Sequence, residues 1–429
     1  MVKLKSLFPI DYTILILLII CSVVILSPII PGVFNIKSAY LNLFLVFFLF
    51  ILIVLKYSLK ISELIVFLLL ISAILILTII TQSKTNFNLF ITFPFSLYIA
   101  WKVSRDTRLV NYLSMFLTLF VVVGLVLSWI AFFYVIQGGE SIYMFKNPNG
   151  LSNNLYLTSF TNAKIGHLIR PAFIFDEPGA FSFVVCIVVV FRELLNKRRL
   201  ITTLIILGGL VTLSLAHVFA VILYFIFVLN FKSKLNFALI LLALMLITTD
   251  DARFNFFYDR FEIKESGTIK GVSNRTRQLD NFYNAIESNP EIIFFGNYMC
   301  HDNEGGVCVD HGDMSSNPFT PIYLGGLLLF FIQLATYFIL GRLALNFRFL
   351  FSSSLIAMIL LQRPYFTVMG YVFLIYIPIF YMFFNLKKYR VTDAMLITGR
   401  VLESKPACKN AMRKRLRSSK ETLAKPSIS

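Results

Sequence analysis

Charge is scarce in this sequence. Only 14% of its 429 residues are Asp, Glu, Lys or Arg, 58% are hydrophobic, and the mean hydropathy is +0.80. Soluble domains carry roughly 25% charged residues, so a water-soluble globular protein is excluded. Cysteine is sparse as well. There are five, with no Cys-x-x-Cys spacing, which rules out a cysteine-based metal centre, and four scattered histidines suggest none either. No repeat of 20–50 residues is visible, and no low-complexity tract apart from a basic tail. The start does not read as a cleavable signal. After Lys3 and Lys5 the apolar run from Tyr12 to Pro31 is longer than a signal core and ends in SPIIPG, without a small-x-small cleavage site.

What the chain has in quantity is apolar runs of bilayer length. They fall near 12–31, 39–55, 64–81, 89–101, 109–136, 171–191, 200–215, 217–230, 235–249, 318–340, 349–361 and 365–384. The expectation is an all-α polytopic integral membrane protein with about twelve transmembrane helices. Between 200 and 230 the only polar break is the SLAHV stretch around His217, read as a tight hairpin.

The formal net charge of +17 can be split by side. With a cytoplasmic start, the inside segments are 1–11, 56–63, 102–108, 192–199, 230–236, 341–348 and 385–429. They hold 27 of the 39 basic residues and 7 of the 22 acidic ones, leaving 12 basic and 15 acidic outside. That is the positive-inside bias. Both termini are then cytoplasmic. The organisation becomes helices one to five in 1–136, a large outer loop at 137–170, helices six to nine in 171–249, a second outer loop at 250–317, helices ten to twelve in 318–384, and a basic tail at 385–429. The tail, with MRKRLR at 412–417, reads as a stop signal that also attracts anionic lipid, not as a nucleic-acid site.

The long outer loops direct attention to chemistry at the outer face. In CHDNEGGVC, the Gly305-Gly306 pair allows a tight reversal that brings Cys300 and Cys308 together, as a disulfide in an oxidising exterior or as two free thiols. In RPAFIFDEPGAFSF, Arg170 stands at the outer mouth of the sixth span with Asp176, Glu177, Pro178 and Gly179 inside it. Ionised groups at that depth are costly unless paired or hydrated, so they point to a polar cavity, the plainer reading being a snorkelling span end. Residues 273–298 place Leu279, Phe282, Tyr283 and Ile286 at helical spacing, capped by Ser273 or Asn274 and ended by Asn289-Pro290. Arg275 and Arg277 occupy its first turn, the wrong end for cations unless an anion sits beside them. His311 and Asp313 lie just before the tenth span as proton acceptors, with His301 and His217 as weaker candidates. Arg363, before Pro364, adds positive charge at the outer end of the eleventh span.

Three stretches resemble the O-antigen and exopolysaccharide polymerase (Wzy-type) family of bacterial inner membranes, related in architecture to the O-antigen ligases. They are Arg170 followed by FDEPG with Glu177-Pro178, Arg277 through Asn289-Pro290 to Gly296, and Asn317-Pro318-Phe319 before Leu324-Gly325. The plan of about twelve spans with two large periplasmic loops covers the whole chain. One departure stands out: Ser316 occupies the place where ligases and many polymerases have a histidine, and the nearest histidine is His311. An arginine–ten residues–glycine spacing occurs at Arg260 and Gly271. The resemblance implies glycosyl transfer at the periplasmic face, without cofactor or metal. The substrate would be an undecaprenyl-diphosphate-linked oligosaccharide, and a chain-length regulator a partner. Glu177, Arg170 and His311 would be catalytic, and Arg275, Arg277, Asp176 and Arg363 would bind diphosphate or glycan. A ligase, a lipid-linked oligosaccharide flippase or another transporter remain the alternatives. A transporter fits poorly with two long loops on one side and no internal repeat.

Overall fold

The computed structural model describes residues 9–24, 26–27, 38–57, 60–81, 84–146, 152–165, 168–175, 177–229, 273–296, 317–366 and 370–402. Its contacts divide the chain into a main unit, residues 1–381, and a C-terminal unit, residues 382–429. Helices occupy eleven of the twelve stretches marked out by hydropathy. The remaining one, the ninth at 235–249, lies outside the described residues, as does the tail beyond Leu402.

In chain order they are α1 (Pro9–Ile19, prolonged by a π turn Ile20–Val24), α2 (Ser38–Lys56), α3 (Ile61–Thr81), α4 (Lys84–Val103) and α5 (Thr107–Ile136). Then come α6 (Pro178–Leu194), α7 (Arg199–Gly208, prolonged by a 3-10 turn Gly209–Thr212) and α8 (Leu215–Phe227). The rest are α9 (Ser273–Ser288), α10 (Ile292–Phe295), α11 (Thr320–Ala344), α12 (Phe347–Gln362) and α13 (Tyr371–Leu402). Among the described residues, Ile61–Ile80, Thr107–Ile136 and Thr320–Ala344 are long and apolar enough to cross a membrane, and several shorter helices are apolar too.

Helix starts follow the capping chemistry of the sequence. Asp106 ends the preceding turn and its carboxylate accepts from the N–H groups of Arg108 (3.0 Å) and Leu109 (3.3 Å) at the head of α5. Asn346 does the same for α12 through the Arg348 N–H. The helix α6 forms the centre of the main unit. All its residues except Glu193 are buried, and it packs against α5, α7, α8 and α12. A helix apolar all round belongs in such a place.

Two features depart from the expected all-α plan. First, the 137–170 loop contains short strands: β1 (Tyr143–Lys146), β2 (Ser152–Tyr156) and β3 (Ser159–Thr161) form an antiparallel sheet in the order β1-β2-β3. A second hairpin pairs β4 (Lys164–Ile165) with β5 (Leu168–Ile169). Both are fastened to α5: Tyr156 of β2 and Ile169 of β5 cluster on Ala131, and the Thr158 hydroxyl donates to the Leu127 carbonyl (2.6 Å). Second, the sixth helix begins at Pro178, not at 171. Proline has no N–H to lose and its φ suits the first helical position, so Pro178 starts this helix instead of interrupting one. Asp176 is outside the described residues, and Glu177 is the N-cap residue, not a mid-helix charge.

Candidate functional site

The approach to α6 is extended and irregular, yet buried: Leu168, Ile169, Ala172, Phe173 and Phe175 are all shielded. Phe175 stacks on Phe181 of α6 at 5.9 Å, and the Ser27 hydroxyl holds the Ile174 carbonyl at 2.7 Å. Irregular backbone carries unpaired polar groups, so in apolar surroundings it has to be bonded by protein or face a polar cavity. Its last residue, Glu177, forms an ion pair with Arg363, which lies just beyond α12.

Arg363 is the more enclosed partner, its side chain 13% exposed against 31% for Glu177. Its Nη1 donates to the Tyr365 hydroxyl (2.5 Å). Tyr365 in turn stacks on Tyr371 (4.3 Å between centroids), and Phe183 of α6 packs against both rings. The guanidinium lies against the first turn of α6. A Cβ on Gly179 would sit 2.7 Å from Nε and 2.8 Å from Cζ, and nearer still to Nη2. Glycine is therefore needed at 179 for close approach. A cation at a helix N-terminus is electrostatically misplaced. The Glu177 carboxylate, at the favourable end, compensates. Burial would lower the Arg363 pKa, but Tyr365 and the Glu177 carboxylate outweigh it and hold the proton more tightly than usual.

Arg170 is anchored elsewhere. Its N–H donates to the Ala163 carbonyl (3.1 Å), its carbonyl accepts from the Thr161 hydroxyl (2.6 Å), and its Nε donates to the Thr212 carbonyl (3.3 Å). Thr212 ends the 3-10 turn after α7, and Leu213 follows in the left-handed region at φ 47°. A cation there satisfies a terminal carbonyl at the negative end of the helix. The α7–α8 turn is thus at 209–214, and His217 sits fully buried in the first turn of α8, correcting the expected hairpin position. Its Nε2 lies 2.7 Å from the Ile206 carbonyl and must carry the proton, because a carbonyl only accepts. Nδ1 then accepts from the Ser182 hydroxyl of α6 (3.1 Å), with the Cys186 sulfur 3.7 Å away. The ring lies over Gly209, where a Cβ would collide with it.

The described part of the 273–298 stretch, 273–296, folds with an apolar face carrying Phe282 and Ile286, but Tyr283, expected on that face, is 60% exposed. Phe282, Ala285 and Ile292 form a cluster against Phe319, Ile322 and Tyr323, and Phe282 stacks on Phe319 at 5.1 Å. Asn317, buried, donates from Nδ2 to the Gln278 carbonyl (2.9 Å) and accepts from the Phe319 N–H (2.9 Å). A Cβ on Gly296 would lie 2.7 Å from the Gly325 nitrogen, and Gly326, at φ +58°, turns its α-carbon toward Phe294. Helix α11 kinks at this glycine pair. The residues around Gln278, Gly296, Asn317 and Gly325, spread over 48 positions, thus converge. Arg277, next to Gln278, is exposed in the first turns of α9. The side chain of Arg275 and all of Cys300, His301, Cys308, His311 and Asp313 lie outside the described residues, as do Arg260 and Gly271.

The structure therefore brings Glu177 and Arg363 together, ties Arg170 to the α7–α8 turn, and places Arg277 on a helix fastened to the start of α11. Sequence reasoning missed Tyr365 and the Ser182–His217 contact. The signal for the first was the RPY run itself, an arginine two residues from a tyrosine after a helix. No group of three His, Cys, Asp or Glu side chains that would hold a metal ion occurs among the described residues. Compared with known protein families, curated proteins and solved structures, the chain matches none.

Proposed function

We propose that this protein is a polysaccharide repeat-unit polymerase: a glycosyltransferase of the bacterial inner membrane, with about twelve spans, both termini cytoplasmic and its site at the periplasmic face. The Glu177–Arg363 pair at the head of a buried helix carries the reading. It offers one carboxylate and one firmly protonated guanidinium where an irregular segment meets apolar helices. That combination suits an acceptor hydroxyl and an anionic leaving group.

The acceptor oxygen of a lipid-linked repeat unit attacks the anomeric carbon of the growing glycan, forming the new C–O bond. The bond from that carbon to undecaprenyl diphosphate breaks, and the diphosphate leaves with the electron pair. Glu177 takes the hydroxyl proton, with His311 as the rival base. Arg363 stabilises the leaving phosphate, together with Arg170, Arg275 and Arg277, while Asp176 contacts glycan. A chain-length regulator is the expected partner.

The test uses cells making a polymeric surface glycan, with Glu177→Gln and Arg363→Ala expressed at normal membrane levels. Glycans of a single repeat unit are the expected result. Long chains persisting in both variants would overturn the site. Accumulation of long chains still on the lipid carrier would point to the ligase reading, and accumulation of single lipid-linked units on the cytoplasmic side to the flippase.

A further inference from the structure

The sheet β1-β2-β3 exposes more apolar surface than an extramembrane loop needs. Ile142, Tyr143 and Met144 are consecutive and exposed along the edge strand, and Leu157 is exposed at the β2–β3 tip with φ 53°. The register brings them to one end of the sheet: Tyr143 pairs with Leu155, and the Ile142 N–H donates to the Leu155 carbonyl (2.8 Å), with Ile142 and Met144 on one face of the strand and Tyr143 on the other. An unprotected apolar edge strand in water invites aggregation, and natural edges are usually blunted by charge or proline.

The height of this patch can be worked from α5. The Thr158 hydroxyl bonds to Leu127, twenty residues along a 30-residue helix that starts at Thr107. Twenty residues rise about 30 Å, the thickness of a hydrocarbon core. With the core taken to begin at Thr107, Leu157 sits level with its far boundary, and the last turns of α5 rise beyond it. From that height upward over about 10 Å, α5 presents Val126, Ile130 and Phe133, exposed and three or four residues apart, as an outward stripe.

We propose that the lower edge of the sheet, at Ile142–Met144 and Leu157, is seated in the outer leaflet of the bilayer and holds the first outer loop against the membrane surface. The occupant of the patch is lipid, at the boundary of acyl chains and headgroups. Tyr143, with an apolar ring and a polar tip, suits that boundary. The inference rests on the membrane orientation proposed above, not on the glycosyl-transfer chemistry.

A photo-crosslinking amino acid with a benzophenone side chain tests it in intact membranes, placed singly at Met144, Leu157, Val126 and, as the upper control, Lys146. Phospholipid adducts at 144, 157 and 126, at least five-fold above those at 146, are expected. Adducts at 126 but not at 144 or 157 would overturn the docking while leaving the spanning helix intact. Adducts of 144 and 157 with another protein would overturn it in favour of a protein partner. Absence of lipid adducts at 126 as well would overturn the membrane reading of α5 and this proposal with it.

Discussion

Gly179→Ala is the sharpest probe of the Glu177–Arg363 arrangement, because the two effects of the change have opposite signs. In an unobstructed helix, alanine is preferred over glycine by up to about 1 kcal/mol. Here the new methyl would fall 2.7 Å from Arg363 Nε and 2.8 Å from Cζ, distances no real Cβ tolerates. The guanidinium is the far end of a long side chain, but it cannot swing away freely. It is held by Glu177 and by the Tyr365 hydroxyl at 2.5 Å. Displacing it breaks a charge-assisted bond in a site where Arg363 is 13% exposed. Breaking a fully buried pair costs about 3–5 kcal/mol. Glu177 keeps 31% exposure, so the loss is discounted to about 1–3 kcal/mol. Net destabilisation of about 1–2 kcal/mol is expected, where propensity alone predicts stabilisation. The assay is thermal unfolding of purified protein in detergent, run as a double-mutant cycle with Arg363→Leu. With the guanidinium gone, Gly179→Ala should be neutral or slightly stabilising. A raised Tm for Gly179→Ala in the parent, or an equal cost in both backgrounds, would refute the close approach of Arg363 to α6.

Two further predictions concern other parts of the molecule. Asn317→Ala removes both the donor to the Gln278 carbonyl and the acceptor for the Phe319 N–H, which should cost about 1–3 kcal/mol and release α9 from α11, read as faster proteolysis within 273–296. Parent-like proteolysis would show that the Phe282–Phe319 stacking suffices alone. For Asp106, burial would raise the carboxyl pKa, but Lys56, the Leu109 N–H and Tyr57 hold it below its ordinary 3.8. A depressed folded-state pKa gives stability that is present above the unfolded value and lost as pH falls through the folded one. The parent should therefore lose Tm as pH falls below about 4, and Asp106→Asn should start lower and show a shallower loss over that range. Identical slopes would remove Asp106 from the account.

Much of the helical framework was legible because apolar runs announce themselves at any depth. The second span was expected at 39–55 and the helix runs Ser38–Lys56; the fifth was expected at 109–136 and runs Thr107–Ile136. The misreading at 171–177 has a clear physical origin. Ala172, Phe173, Ile174 and Phe175 are as apolar as any helix, and composition alone cannot separate a buried helix from a buried extended segment. The bracketing prolines, Pro171 and Pro178, were the better signal. The strands escaped notice because they are two to five residues long and set among Ser, Asn and Thr. The Glu177–Arg363 pair had no local signature, since the partners are 186 residues apart. His217 was hidden differently: one polar residue in an apolar run reads as a break, when here it bonds α8 to α6 and α7 from within.

The contacts also bear on which arginines matter. Ion pairs of Lys56 with Asp11 and Asp106, and of Glu63 with Lys102 and Arg105, tie α1, the end of α2 and the start of α3 to the turn between α4 and α5. The Ser27–Ile174 bond and the Glu177–Arg363 pair join the approach to α6 to other parts of the main unit. On the proposed outer side an arginine opposes the bias that orients insertion, so its presence needs a reason within the folded molecule. Arg170 has one in the Thr212 carbonyl, a helix-terminal acceptor that would otherwise lose a partner. For Arg363 stability is the weaker reason, because apolar residues of similar volume often replace a buried ion pair at no cost. The chain even reserves Gly179 to make room for it. A charge that apolar packing could replace, held where room has been left for it, fits a binding role, and this is why the proposed chemistry rests on Arg363 more than on Arg170.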